Sequence, residues 1–190
     1  AKTDSGGNYN KGGNFLYRWG NPMVYDRGTI EDKKLFAPHS VNWVDGSLTN
    51  LLIFNNGYQR PVENGQSPYS SIEEIATPFS IEDGYYIDDN APYGPSDYFW
   101  YYTDNESFSN IQSGAVRLPN GNTLITYTTL SKITEVSSDM NVVWEYLYPE
   151  DQTDFLCRAN KRHVSSLGDI NYDFIINVLD IMSTINIIMT

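Results

Sequence analysis

The residues with the clearest chemical pattern lie near the end of the chain. From residue 169, side chains that carry oxygen occupy positions 1, 3, 5, 9 and 12 of a twelve-residue stretch. A calcium-binding loop directs its ligands at one ion from these positions, with a main-chain carbonyl at position 7. Ca²⁺ takes about six to eight oxygen ligands and needs neither cysteine nor histidine. The predicted ligands are Asp169, Asn171, Asp173, the Ile175 carbonyl, Asn177 and Asp180.

The segment after these ligands is predicted to be a helix. Its apolar residues fall on one helical face and are Val178, Ile181, Met182, Ile185 and Ile188. Two positions depart from an EF-hand loop, because Phe174 replaces the turn glycine and Asp180 replaces the closing glutamate. With Asp180 closing the loop and a helix following directly, residues 168–190 resemble a single type I dockerin-like repeat. That resemblance implies bound calcium and a cohesin-like or cell-surface partner. The alternative is a polar turn before an amphipathic helix, without a metal.

Composition limits the classes of protein and partner. The chain has 190 residues, 40% of them hydrophobic and 14% aromatic, which favours a sheet-rich folded domain with an appendage. Its net charge of −12 argues against nucleic acid or an anionic membrane surface as a partner, because both are polyanions. The single cysteine, Cys157, predicts no disulfide within the chain. The apolar stretch 174–190 is too short for a membrane span.

Most of the chain has the pattern of antiparallel β-structure. Short runs of β-branched and aromatic residues alternate with Gly, Pro, Asn and Asp. The pair Asn120-Gly121 predicts a tight hairpin turn with positive φ. The predicted strands are 14–19, 39–44, 50–54, 97–103, 114–118, 122–128, 131–136 and 141–148.

These segments repeat along the chain. "SSIEEI" (70–75) matches "SKITEV" (131–136), and "NLLIF" (50–54) matches "NTLIT" (122–126). We therefore predict two copies of one unit, 39–103 and 113–149, the first with an acidic, Tyr-rich insertion across about 76–97. "NFLYRWGNP" resembles "NVVWEYLYP" and is predicted to be the last strand of a preceding copy.

A repeat of this kind is typical of a β-propeller. A blade has about 40 residues in four short strands, and a ring needs about four to eight blades. We predict an all-β fold with about two blades and a partial blade in residues 1–149, a connector at 150–167, and the calcium loop and helix at 168–190. Three explanations of the incomplete ring stay open: a longer protein, several chains that complete the assembly, or an open fold.

Three stretches resemble the aryl-sulfate sulfotransferase family. They contain "LFAPHSVNWV" (35–44), "LLIFNNGYQRP" (51–61) and "SGAVRLPNGNTLITYT" (113–128), and the resemblance covers roughly residues 13–162. The family consists of extracytoplasmic β-propellers that move a sulfuryl group between phenols without a nucleotide cofactor. The resemblance implies that this chain is the C-terminal portion of a larger propeller. It also implies an aryl sulfate or phenol as ligand and a secreted, cell-surface or periplasmic location.

The same resemblance indicates candidate catalytic residues. His39 in "FAPHSVNW" matches the family's active-site histidine, and Arg60 in "FNNGYQR" matches its arginine. A guanidinium and an imidazole suit the negative charge on the oxygens of a transferring sulfuryl group. The family also uses a histidine nucleophile in a later blade, whereas this sequence has no histidine between residues 40 and 162. His39 as a purely structural residue is the alternative.

Two functional hypotheses follow. The first is an extracellular arylsulfotransferase-like propeller segment whose calcium-binding tail anchors or stabilises it. The second is a non-enzymatic, calcium-stabilised extracellular module that self-assembles through β-edges or through the tail. The missing second histidine favours the second hypothesis, and the His39 and Arg60 motifs favour the first.

Overall fold

The computed structural model describes residues 4–88, 90–149 and 156–161. The helices in these residues are short 3-10 turns at Pro22–Tyr25, Ile30–Asp32 and Thr128–Leu130. None of the described helices has the length and apolarity to cross a membrane. The strands are β1 (Pro38–Trp43), β2 (Asn50–Asn55), β3 (Ser71–Ala76), β4 (Phe79–Ser80), β5 (Gly84–Tyr85), β6 (Trp100–Thr103), β7 (Gly114–Arg117), β8 (Thr123–Tyr127), β9 (Lys132–Val136) and β10 (Val142–Leu147).

The strands form two four-stranded antiparallel sheets and one small hairpin. The first sheet has the order β1-β2-β3-β6 and the second β7-β8-β9-β10, so each runs back and forth in chain order. Between β3 and β6 the chain forms the β4–β5 hairpin, within the predicted insertion. The predicted all-β class is confirmed. The described residues make two sheets and do not close a ring.

The predicted strand at 14–19 is wrong. Residues 14–19 run as irregular chain, and their aromatic side chains bond to a loop. The Tyr17 hydroxyl donates to the Gly94 carbonyl at 2.7 Å, and the Trp19 indole N–H donates to the Pro95 carbonyl at 2.9 Å. Gly20 then turns the chain with φ +90°. The aromatic pattern therefore reflects packing against the loop around residue 94.

The predicted Asn120-Gly121 hairpin exists with a different turn. Only Gly121 has a positive φ, +85°. The Gly121 N–H donates to the Leu118 carbonyl at 2.9 Å, and the Leu118 N–H donates to the Asn122 carbonyl at 2.8 Å. Pro119 at the second turn position presets its own φ, which favours a type I turn followed by a left-handed glycine over a two-residue turn.

The core lies between the two sheets. In β2, Leu52 and Phe54 alternate with residues that point to the opposite face, as the period of a strand requires. The Phe54 and Tyr127 rings meet edge to face with centroids 5.7 Å apart. The core cluster comprises Leu52, Phe54, Ile72, Tyr102, Ala115, Ile125, Tyr127 and Val136. Each large apolar side chain buried here contributes about 1.5–3 kcal/mol.

The aligned residues of the two repeats make the same hydrogen bond. The Asn50 side-chain amide donates to Glu74 Oε1 at 2.7 Å in the first sheet. In the second sheet, the Asn122 amide donates to Glu135 Oε1 at the same distance, 2.7 Å. Both glutamates are buried, 3% and 4% exposed, so each amide satisfies a carboxylate oxygen that water does not reach.

Candidate functional site

A cleft lies on the face of the first sheet that is turned away from the second. Because successive side chains of a strand point to opposite faces, Ile72 enters the core whereas Ser71 and Glu73 face the cleft. The cleft has a volume of about 650 Å³. Its main lining residues are Lys33, Lys34, Phe36, Arg60, Tyr69, Glu73, Tyr98 and Tyr101, and we call it the Arg60 cleft.

A glycine turn after β2 places Arg60 in the cleft. Gly57 has φ +74°, and its N–H donates to the Phe36 carbonyl at 2.9 Å. A Cβ at this position would lie 2.0 Å from the Tyr69 carbonyl oxygen, so only glycine fits. The Arg60 N–H then donates to the Gly57 carbonyl at 3.1 Å. This turn brings Arg60 back over β3.

The Arg60 side chain is held on two sides. Its Nη2 donates to Ser71 Oγ at 2.7 Å and lies 3.7 Å from Glu73 Oε1. The guanidinium carbon sits 4.4 Å from the centre of the Tyr69 ring, a cation–π contact. Of the three nitrogens of the Arg60 guanidinium, Nη2 makes the hydrogen bond within the described residues. The side chain is 9% exposed and lines the cleft.

Glu73 is the acidic group beneath Arg60. Its Oε1 accepts hydrogen bonds from the Asn55 amide at 2.8 Å and from the Ser71 hydroxyl at 2.9 Å. Its Oε2 is buried and has no hydrogen-bond partner among the described residues. Burial raises the pKa of Glu73, and the bonds from Asn55 and Ser71 and the charges of Arg60 and Lys34 oppose that rise without cancelling it.

Asn55 connects this carboxyl to the chain before β1. The Asn55 Nδ2 also donates to the Lys34 carbonyl at 2.8 Å, and its Oδ1 accepts the Phe36 N–H at 2.8 Å. Asn55 is fully buried, so these bonds satisfy both ends of the amide. The segment that carries Lys33 and Lys34 is thereby fixed at the edge of the cleft.

Aromatic rings and lysines form the rest of the wall. The Tyr98 and Tyr101 rings lie 5.1 Å apart, and burial raises the pKa of both phenols. Both therefore stay neutral at physiological pH and can donate a hydrogen bond. Lys34 Nζ lies 5.3 Å from the Tyr98 ring centre, and Lys33 Nζ lies 4.5 Å from that of Phe36.

The charge of the cleft differs from that of the whole chain. Lys33, Lys34 and Arg60 line it with two acids, Glu31 and Glu73, whereas the chain carries a net charge of −12. Cationic groups beside aromatic rings suit a small aromatic anion, since the rings bind its apolar part and the cations its charge. A volume of this size lies in the range of small-molecule sites.

His39, the other predicted catalytic residue, is exposed and held in one tautomer. Its Nδ1 lies 2.7 Å from Asn56 Oδ1 and 3.2 Å from the Ala37 carbonyl. The Asn56 Nδ2 donates to the carbonyls of Ser109 and Gln112, at 2.6 and 3.0 Å, which turns Oδ1 towards the histidine. Because both neighbours of Nδ1 are acceptors, Nδ1 carries the proton and Nε2 of the neutral ring is unprotonated.

The structure does not bring His39 and Arg60 together. His39 is paired with Phe54 across β1 and β2, so its side chain lies on the core side of the first sheet. Arg60 contacts Ser71 and Glu73, which lie on the opposite side. In the part of the chain that the structure describes, the lining of the Arg60 cleft contains Arg60 and excludes His39.

The calcium prediction falls outside the described residues. Its ligands are Asp169, Asn171, Asp173, Ile175, Asn177 and Asp180. Within residues 4–88, 90–149 and 156–161, the structure contains no group of three or more His, Cys, Asp or Glu residues suited to a metal ion. That finding does not bear on the tail, so the calcium site stays a prediction.

Sequence reasoning missed the other side chains of the cleft. Glu73, Tyr98 and Lys34 lie in no motif that indicates a binding site. One signal was present, because the repeat places Glu73-Glu74 where the second unit has Thr134-Glu135. An extra acid in a strand that is otherwise matched indicates a polar partner on the other face, and Arg60 is that partner.

Comparisons with known proteins do not assign the chain to a family. No protein-family model, no curated protein and no solved structure matches it. The resemblances to arylsulfotransferases and to dockerin repeats therefore stay predictions, and the Arg60 cleft carries the functional argument.

Proposed function

We propose that this chain is an extracellular arylsulfotransferase-like β-propeller segment whose Arg60 cleft binds an aryl sulfate or the related phenol. The two described sheets are consecutive blades in this proposal. One observation carries it: a nearly buried guanidinium, stacked on Tyr69 and flanked by two lysines and two further tyrosines, lines a cleft of about 650 Å³. The sulfate group would lie against Arg60, and the aromatic ring against Tyr98 or Tyr101.

Two interaction energies favour an aryl sulfate as the ligand. A charge-assisted hydrogen bond from a guanidinium to an oxyanion contributes about 1.5–3 kcal/mol. An aromatic pair adds about 0.5–1.5 kcal/mol beyond the burial of its area. A ligand with only the sulfate group or only the ring makes one of these two interactions. It should therefore bind more weakly than the aryl sulfate ester.

The proposal is for binding, without sulfuryl transfer by this chain alone. The unprotonated Nε2 of His39 suits a nucleophile or base, but His39 and Arg60 lie on opposite faces of the first sheet. No histidine occurs between residues 40 and 162 to act as the second one. Catalytic roles for His39 and Arg60 would require the remainder of a propeller.

A titration with 4-nitrophenyl sulfate tests the binding proposal. Calorimetry should give one site per chain, with weaker binding for inorganic sulfate and for 4-nitrophenol. Arg60→Ala should weaken binding about 10- to 100-fold, because it removes the charged donor. Arg27→Ala is the matched control, since Arg27 lies outside the cleft lining. Equal affinity of the Arg60→Ala variant and the wild type would refute the proposed site.

The tail has a separate proposed role. We propose that Asp169, Asn171, Asp173, Ile175, Asn177 and Asp180 bind one calcium ion, and that the tail stabilises the protein or anchors it to a cohesin-like or cell-surface partner. The spacing of the oxygen ligands supports this role. Calorimetry with and without EDTA should show one Ca²⁺ per chain, lost when Asp169 and Asp173 are both changed to Ala. Absence of binding at millimolar Ca²⁺ would refute the site.

One observation favours the non-enzymatic alternative. Strand β10 forms an edge of the second sheet, and each residue from Val142 to Leu147 is exposed. The Trp144 and Tyr146 rings stack 6.2 Å apart along it. An apolar edge strand of this kind pairs readily with another chain. Under this hypothesis the chain forms a homo-oligomer or joins the remainder of a propeller through β10, and light scattering should give a mass above that of one chain.

A further inference from the structure

The two oxygens of Glu73 have different surroundings. Oε1 accepts hydrogen bonds from Asn55 and Ser71 and lies 3.7 Å from Arg60 Nη2. Oε2 is buried and has no partner among the described residues. The side chain is 1% exposed and lines the cleft, so water does not solvate it freely.

An ionised Glu73 would conflict with a bound anion. A buried carboxylate with one unsatisfied oxygen is unfavourable in itself. It would also repel an oxyanion held by Arg60, since Glu73 Oε1 lies within 3.7 Å of the same guanidinium. One proton removes both difficulties. It belongs on Oε2, because Oε1 already accepts from two donors.

We propose that the Arg60 cleft binds its anionic ligand together with one proton, which Glu73 takes up on Oε2. Arg60 supplies the positive charge, and protonation removes the negative charge of the Glu73 carboxyl beside it. The inference rests on the proposed function and specifies its regulation: binding strengthens as pH falls. The one bond that forms is the O–H bond of Glu73, and its proton comes from solvent.

Ionisable groups from several neighbouring elements surround Glu73. Arg60 follows β2 and Lys34 precedes β1, and both favour the ionised form. Tyr101 is paired with Glu73 across β3 and β6, and Tyr98 lies beside it on the chain before β6. The remaining ionisable groups of the lining are Glu31, Lys33 and Tyr69. Burial outweighs the two cations and raises the pKa of Glu73, which agrees with proton uptake.

The sign of the pH dependence follows from linkage. Below the pKa of Glu73 in the empty cleft, the proton is already present and affinity does not vary with pH. Above that pKa the carboxyl is ionised, and binding must first take up a proton. Affinity then falls by up to tenfold for each pH unit. A sulfate monoester stays anionic across this range, so the ligand itself does not contribute to the pH dependence.

Calorimetry on the full chain with 4-nitrophenyl sulfate tests this inference. Titrations between about pH 5 and 8, in two buffers with different ionisation enthalpies, should show uptake of up to one proton and weaker binding as pH rises. Glu73→Gln keeps the shape and places an N–H donor at the Oε2 position. This variant should bind tightly, without proton uptake and without pH dependence.

Glu74→Gln is the matched control. Glu74 is the next residue of β3 and points to the opposite face, where Arg117 and Asn50 bind it. This variant should keep the pH dependence of the wild type. Circular dichroism establishes that both variants fold, and the proton uptake of the wild type needs no variant.

Each remaining outcome overturns the inference. Binding that is independent of pH and takes up no proton contradicts it and leaves the proposed function intact. A Glu73→Gln variant with the pH dependence of the wild type places the proton elsewhere and contradicts it too. If the wild type binds no 4-nitrophenyl sulfate at any pH, the proposed function fails along with the inference.

Discussion

The two four-stranded sheets have related sequences, but only the first has the Arg60 cleft. They share the Asn–Glu hydrogen bond, formed by Asn50 with Glu74 and by Asn122 with Glu135, at 2.7 Å in both. They also both contribute apolar side chains to the core between them. Both repeats therefore contain a buried acid that accepts a hydrogen bond, and both present an apolar face to the core.

Three aligned positions lie on the cleft face of the first sheet, whereas in the second sheet the aligned face packs against the first sheet. Where the first sheet has Asn55, Ser71 and Glu73, the second has Tyr127, Lys132 and Thr134. The first set forms the polar floor of the Arg60 cleft. In the second sheet, Lys132 pairs with Asp104 and Glu145, at 3.1 and 3.4 Å, and Tyr127 enters the core. These differences follow the packing, because the aligned face lines a cleft in the first sheet and enters the core in the second.

The largest expected effect concerns the core that both sheets share. Phe54→Ala should lower the free energy of unfolding by about 3–5 kcal/mol, because it leaves a cavity against Tyr127. Urea denaturation monitored by tryptophan fluorescence measures this change. Phe99→Ala is the control, since Phe99 is 67% exposed and should stay within about 0.5 kcal/mol. Two separate unfolding transitions would contradict a single core between the sheets.

The second-largest effect is expected at the Asn–Glu hydrogen bond, and it tests whether this bond contributes equally to stability in the two sheets. Asn50→Ala and Asn122→Ala should each lower the free energy of unfolding by about 1–3 kcal/mol, because each removes a hydrogen bond to a buried carboxylate oxygen. The exposed Asn105 supplies a control variant, Asn105→Ala. If one of the two core variants were neutral, the bond would not be a common structural element.

A smaller effect is expected from Glu73 and Asp104, whose contributions to stability change with pH in opposite directions. The pKa of Glu73 is raised above its ordinary value of 4.5, chiefly by burial. Its contribution to stability is fully present below about pH 4.5 and is lost as pH rises through the raised pKa. The stability of the wild type relative to Glu73→Gln should therefore fall over this window, as measured by urea denaturation at several pH values.

Asp104 provides the contrasting case. Burial alone would raise its pKa, but the hydrogen bonds from Ser107, the Glu106 N–H and Lys132 together lower it below 3.8. Its contribution is present above about pH 3.8 and is lost as pH falls through the lowered pKa. Relative to Asp104→Asn, the wild type should therefore lose stability on acidification. The same sign for both acids would contradict the difference between their sites.

The smallest effect on stability is expected at the β10 edge. Val143→Lys changes a residue that is 53% exposed, so the free energy of unfolding should stay within about 0.5 kcal/mol. Under the self-assembly hypothesis the same change should lower the mass seen by light scattering, because a lysine on an edge strand opposes pairing. An unchanged mass would remove β10 from the candidate interfaces.

Local pattern predicted seven of the eight strands of the two sheets, and β3 was indicated only by the match of "SSIEEI" to "SKITEV". Alternation in "NLLIF" and "NTLITYT", with Asn, Gly and Pro between the runs, predicted β2 and β8 to within two residues. The same reasoning failed at residues 14–19, since aromatic residues that bind a distant loop have the composition of a strand. The period and composition of a sequence segment indicate how its side chains are buried. They do not identify the groups to which its backbone is hydrogen-bonded.

For the candidate site, the sequence by itself determined that Arg60 follows a glycine turn and that an acid was added before Glu74 in the first repeat. Only the tertiary structure decided that Arg60 and Glu73 share a cleft with Lys34, Tyr69, Tyr98 and Tyr101, and that His39 lies on the other face. The physical reason is strand register. A residue's face depends on its pairing across neighbouring strands, and that pairing joins segments far apart in the chain.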